Sequence, residues 1–256
     1  MKKFVQFFCI MMLFFPAISL GECIEGDCAN GYGVYIFPEG GQYAGQFASG
    51  EFAGRGSQEY ADGNRYEGMF KNSRPHGEGT LSYADGSIYS GQFDHGVISG
   101  QGTIVFPSGS KYEGRFKDGL FHGPGEFVFA DGSKYKGEFK KGRFDGKGSL
   151  FSDGRLYVGE FREGEHYGKG TITYYDKSKE IGEWKDGKFI VLQKIKAPVK
   201  KKSDTAEDDQ AFGSDDFSPK DTWGSEQQNP FQQDNFFPGE EQEASFPESD
   251  FAGEKQ

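Results

Sequence analysis

The sequence predicts an all-β protein: an elongated, twisted, single-layer antiparallel sheet of tandem β-hairpin repeats, followed by a disordered tail. Three observations carry that prediction. A motif Tyr-x-Gly-x-Phe starts at Tyr43, Tyr66, Tyr89, Tyr112 and Tyr135, 23 residues apart each time, and again at Tyr157 after 22. Its tyrosine, glycine and phenylalanine stand at every second position, so all three point to one face of a strand. The composition is unlike that of an ordinary core, with only 34% hydrophobic residues but 40 Gly, 27 Phe and 13 Tyr, so aromatic rings must pack where the backbone also bends or approaches closely.

The N-terminal segment 1–21 is read as a signal peptide. Met1-Lys2-Lys3 is a short basic start, an apolar run follows, Pro16 interrupts it, and the small residues Ser19 and Gly21 precede a cut before Glu22. The rival is an uncleaved anchor; the short run and its proline favour cleavage. Cys23 follows Glu22 rather than a small residue, which argues against lipidation. Export makes the chain periplasmic or secreted, in a bacterial setting, and leaves Cys23 and Cys28 as a pair in an oxidising compartment, where a disulfide is expected.

The repeats occupy 22–193. A truncated copy leads with Gly31 to Gly33, and a degenerate copy, EIGEW, begins at Glu180. The aromatic face is expected to hold Tyr43, Phe47, Tyr66, Phe70, Tyr89, Phe93, Tyr112, Phe116, Tyr135, Phe139, Tyr157, Phe161 and Trp184. A turn containing glycine leads to a second strand starting at a Gly-x-Gly pair, as at Gly77 and Gly79. Leu81 and Tyr83, or Phe127 and Phe129, return to one face of that strand, and Asp-Gly, as at Asp85-Gly86, then makes a tight turn. At about 4.8 Å per strand, seven repeats make a ribbon of roughly 65–70 Å. A single layer leaves its aromatic rows uncovered, so pairing into a homodimer is an expectation.

The segment 194–256 reads as linker and tail. Residues 203–256 carry 15 acidic and 2 basic side chains, whereas 22–202 carry 25 of each sign, so the formal charge of −11 belongs to the tail. Such a composition does not bury enough surface to fold alone. Phe212, Phe217, Trp223, Phe231, Phe236 and Phe237 are candidate contacts for a partner, in the manner of short binding motifs, or else incidental aromatics in a solvating tail.

The period, Tyr-x-Gly-x-Phe, the Gly-x-Gly and the closing Asp-Gly together resemble the MORN repeat (membrane occupation and recognition nexus) over about residues 30–188. The resemblance implies a twisted single-layer sheet acting as a scaffold or binding surface. Ser73 stands where the pattern has glycine, and Glu180 where it has tyrosine, which suggests a capping role for the last copy.

No catalytic constellation emerges: there is no nucleophile elbow and no dinucleotide fingerprint. GRFDGKG and GEHYGKG lack the spacing of a phosphate loop. His76 and His122 share a repeat position two copies apart, roughly 20 Å, and His95 and His166 fall in other turns, so no metal and no cofactor is expected. With no basic face, nucleic acid is not an expected partner. A lipid surface, suggested by Lys194, Lys196, Lys200, Lys201 and Lys202, is a weaker candidate than another protein. The reading is therefore a non-enzymatic exported scaffold or interaction module. The alternatives are an anionic-lipid binder and an accessory subunit that positions a partner enzyme.

Overall fold

The computed structural model describes residues 21–198. Sixteen strands form one sheet. They are β1 (Glu22–Gly26), β2 (Tyr32–Ile36), β3 (Gly41–Ala48), β4 (Glu51–Tyr60), β5 (Arg65–Lys71), β6 (Arg74–Ser82), β7 (Ile88–Asp94) and β8 (Val97–Val105). They continue with β9 (Lys111–Lys117), β10 (Leu120–Val128), β11 (Lys134–Lys140), β12 (Arg143–Ser152), β13 (Arg155–Arg162), β14 (Glu165–Thr173), β15 (Lys179–Lys185) and β16 (Lys188–Ile195). Each strand pairs antiparallel with its predecessor and its successor, so sheet order is sequence order. This is the predicted meander.

The motif tyrosine opens the first strand of each repeat, and a two-residue turn closes it. Both turn residues have positive φ, as at Asn72 (51°) and Ser73 (58°) or His95 (51°) and Gly96 (90°). This is the hairpin geometry that matches strand twist. Ser73 replaces the usual glycine and takes on a further bond: its hydroxyl accepts the Phe52 N–H at 3.1 Å.

The second strand begins before the Gly-x-Gly, not at it. In β6 it starts at Arg74, and Gly77 and Gly79 lie inside the strand. The register shows why. Gly68 pairs with Gly79, but Phe70 pairs with Pro75, so Met69 alone faces three residues of β6. Gly77 sits in this bulge at φ 77°, a conformation glycine adopts without steric cost. The same shift recurs between β3 and β4, β7 and β8, β9 and β10, and β11 and β12. The tyrosine of each repeat hydrogen-bonds at the bulge: Tyr66 Oη donates to the Met69 carbonyl at 2.9 Å and Tyr112 Oη to the Arg115 carbonyl at 2.8 Å.

The Asp-Gly pairs also differ from expectation. Most lie in longer connections, in which the aspartate makes a local side-chain turn. Asp85 Oδ1 accepts the Ser87 N–H at 2.7 Å, while Tyr83 N–H bonds the Ser87 carbonyl at 2.9 Å. Of the four Asp-Gly pairs that close a repeat, only Asp153-Gly154, in the copy that is one residue short, forms a two-residue turn, with φ 51° and 68°; Asp118-Gly119 and Asp186-Gly187 form such turns at the other end of the hairpin. The deletion was absorbed by switching turn type.

The aromatic rows are not uncovered. Tyr43, Tyr66, Tyr89, Tyr112 and Tyr135 are fully buried, and Phe47, Phe70, Phe93, Phe116, Phe139, Tyr157 and Phe161 nearly so. Trp184 is half-buried. The cover comes from the start of the second strand. Phe52 stacks on Tyr43 with ring centroids 3.8 Å apart, Phe121 on Tyr112 at 3.8 Å, and Phe144 on Tyr135 at 3.6 Å. The phenylalanine of the next repeat meets the same ring edge-on, as Phe139 does Tyr112 at 4.9 Å. Each such pair adds about 0.5–1.5 kcal/mol beyond area burial. A bulged single layer thus builds its core between consecutive hairpins without a second sheet. The exposed apolar face that motivated a homodimer is not present on this side.

At the N-terminus, β1 pairs with β2, and the expected disulfide joins Cys23 to Cys28. At the other end Glu180, in the tyrosine position, accepts the Tyr174 hydroxyl at 2.8 Å and pairs with Lys194 at 2.6 Å. The bond from Lys194 holds its carboxyl below the usual range. Such a polar finish suits a terminal repeat. The apolar segment of residues 1–20 and the tail aromatics from Phe212 to Phe237 lie outside the described residues.

Candidate interaction surface

The inner face is occupied by the protein itself. Its tyrosine hydroxyls are bonded to backbone carbonyls, and burial pushes Tyr43, Tyr66, Tyr89, Tyr112 and Tyr135 well above the ordinary phenol range and Tyr157 up to about 12. These phenols stay neutral and serve as core. The aromatic residues singled out in the sequence are therefore brought together, but as interior rather than as a binding face.

The outer face carries the alternate residues of every strand. Over β12 and β13 it presents Phe151, Leu156 and Val158, which are 48%, 38% and 49% exposed. Phe151 pairs directly with Leu156, and Val158 with Ser149. Beside them runs a shallow groove that crosses the glycine backbone at Gly148 and Gly159, with Lys136, Lys147 and Lys169 along it. Lys136 faces Ser149 across the ladder, and Lys147 faces Glu160. Lys136 has a distant carboxylate, Glu126 at 3.9 Å; Lys147 and Lys169 make no ion pair among the described residues. The arrangement is an apolar strip flanked by cations on paired strands.

The four histidines occupy three different settings. His166 lies in the lid position of its repeat, edge-on to Tyr157 at 4.4 Å and stacked on Trp184 at 4.7 Å. Burial pushes it down to about 4, so it packs as a neutral ring. His122 has the repeat position of His76 but other surroundings. His76 and His95 come together, with ring centroids 5.4 Å apart, and Asp94 lies between them. Alignment by repeat position did not bring these two together, because the contact runs from one repeat to the next: Gly77 pairs with Phe93. The strand-pairing register is the signal that finds it. The lid residues Phe52, Phe121 and Phe144 escape the sequence pattern for a related reason: they precede the Gly-x-Gly at which that pattern starts the second strand.

The MORN repeat model matches residues 29–42, 43–65, 66–88, 89–111, 112–134, 135–154 and 157–179, more than half of the chain. The chain belongs to the MORN repeat family. The first match is the truncated leading copy, and the hairpin from Glu180 lies beyond the last. No curated protein matches the chain. Among solved structures, the MORN ribbon is similar to the TCP domain of SAS-4 (dCPAP) from Drosophila melanogaster, solved in complex with a proline-rich motif of Ana2 (dSTIL). That match has 18% identity, covers 64% of this chain and 90% of the other, and has a TM-score of 0.40. It is also similar to the TCP10 domain of Danio rerio CPAP, with 16% identity, 61% and 75% coverage and a TM-score of 0.37.

Proposed function

We propose that this MORN-repeat chain is a non-enzymatic, exported scaffold that holds a protein partner on the outer face of its ribbon. The observation that carries this reading is the division of the two faces. The aromatic rows are consumed inside, whereas Phe151, Leu156 and Val158 stand in water beside Lys136, Lys147 and Lys169. An apolar strip rimmed by charge, held rigidly by paired strands, is the make-up of a recognition surface. Export is supported by the basic start, the apolar run before Glu22 and the Cys23–Cys28 disulfide, a bond that persists in oxidising compartments. The acidic, aromatic-spiked tail is a second contact or a spacer.

The test is a cross-linked pull-down from the native source, read by mass spectrometry. The baits are residues 22–256, the tail-less 22–196, and 22–256 carrying Phe151→Glu and Val158→Glu. The expected outcome is a partner retained without the tail and lost with the two substitutions. A partner lost with the tail and indifferent to the substitutions would overturn the outer-face reading. A stoichiometric enzyme in the eluate would make the ribbon an accessory subunit. Robust hydrolase or transferase activity of the purified chain would overturn the non-enzymatic reading.

A further inference from the structure

We propose that His76, Asp94 and His95 form a binding site for one zinc-class transition-metal dication. The donors come from two adjacent strands and a turn. His76 is on β6, Asp94 ends β7, and His95 opens the turn to β8 at φ 51°. One ligand atom from each residue falls within 4.8 Å of the other two.

The donor set has the right chemistry. Two imidazole nitrogens and one carboxylate oxygen are the ligands that bind zinc, with room for a fourth position filled by water. Metal–ligand bonds of about 2.0–2.2 Å in a tetrahedron place donor atoms about 3.3 Å apart. His76 Nδ1 already stands 3.5 Å from Asp94 Oδ1. His95 Nδ1 lies 2.6 Å from the same oxygen, in direct polar contact. The side chains of His95 and Asp94 are 69% and 61% exposed, so both are free to turn about a cation placed between them.

Two further observations single out this place. His76 Nδ1 is buried and has no hydrogen-bond partner, despite its approach to Asp94. An orphaned imidazole nitrogen is costly, and coordination would satisfy it. Second, Asp94 breaks a pattern. The same repeat position holds Lys71, Lys117, Lys140, Arg162 and Lys185 in five other copies and Ala48 in the first. Only where the neighbouring strand offers His76 and the turn offers His95 does an acid replace the base. His122, which repeats the position of His76, has Lys140 and Lys141 at the corresponding places instead. A bare contact between Asp94 and His95 would account for those two residues but leaves His76 Nδ1 unsatisfied.

The test titrates the untagged full chain, with its disulfide formed, with Co(II), followed by visible absorption, and with Zn(II), followed by calorimetry. One saturable equivalent is expected, with Zn(II) displacing Co(II). His95→Asn keeps a residue that tolerates the left-handed turn conformation, and His76→Ser installs what Ser99 supplies at the same position of the next repeat. Each should weaken binding by at least about tenfold. His122→Ser should leave it unchanged, and circular dichroism should show all three folded. The proposal is overturned if no saturable binding appears, or if all variants bind alike, which would move the metal to the acidic tail.

Discussion

Replacing Gly125 with alanine should destabilise the ribbon by about 2–4 kcal/mol, although the backbone there has no need of glycine. Gly125 is not in the left-handed region, so conformational strain is not at issue. The reason is the ring of Tyr112. A Cβ on Gly125 would stand 2.6 Å from Tyr112 Oη, 2.7 Å from Cε2 and 2.8 Å from Cζ, where ordinary contact begins near 3.4 Å. The ring must retreat by more than half an ångström, yet Phe121 is stacked on it at 3.8 Å, and Phe116 and Phe139 close its edges at 5.1 and 4.9 Å. Overpacking of this kind costs about 1–3 kcal/mol. Displacing Tyr112 Oη from the Arg115 carbonyl adds about 1 kcal/mol. Urea unfolding followed by circular dichroism measures the loss, and native-state hydrogen exchange locates it on β9 to β12. A double-mutant cycle isolates the cause. In a Tyr112→Leu background the ring is gone, so Gly125→Ala should cost less than about 1 kcal/mol, a coupling of about 2 kcal/mol. If Gly125→Ala is neutral, or equally costly in both backgrounds, the ring-over-glycine account is wrong.

Two further outcomes follow from the same core. Tyr89→Phe should destabilise the protein by about 1–2 kcal/mol. It keeps the ring but removes the 2.9 Å bond to the Gln92 carbonyl at the bulge, and urea titration checks it. The second concerns acid. Burial lowers His166 from 6.5 to about 4, so between those values the unfolded chain holds a proton that the folded chain does not. Its contribution is complete above pH 6.5 and fades as pH falls toward 4, by at most about 3 kcal/mol. His166→Phe, which places there the residue found at Phe121 and Phe144, should flatten that part of the stability profile relative to the native chain. Parallel profiles for the two proteins would refute it.

The sequence by itself determined the architecture, because the information is local and repeated. Side-chain alternation puts Tyr66 and Phe70 on one face whatever the rest of the chain does, and a 23-residue clock forces every copy to make the same hairpin. The bond between Cys23 and Cys28 was also legible, because the two remain as a close pair once export to an oxidising compartment is read from the first residues. What only the tertiary structure decided was registration. Whether Phe52 lies over Tyr43 depends on a bulge that sets Phe47 opposite Phe52, and no periodicity announces how many residues a bulge absorbs. That one offset turned an exposed aromatic face into a core. Registration also brought His76 to Asp94 and His95, 18 and 19 positions away, because a contact between neighbouring repeats joins two different phases of the same clock.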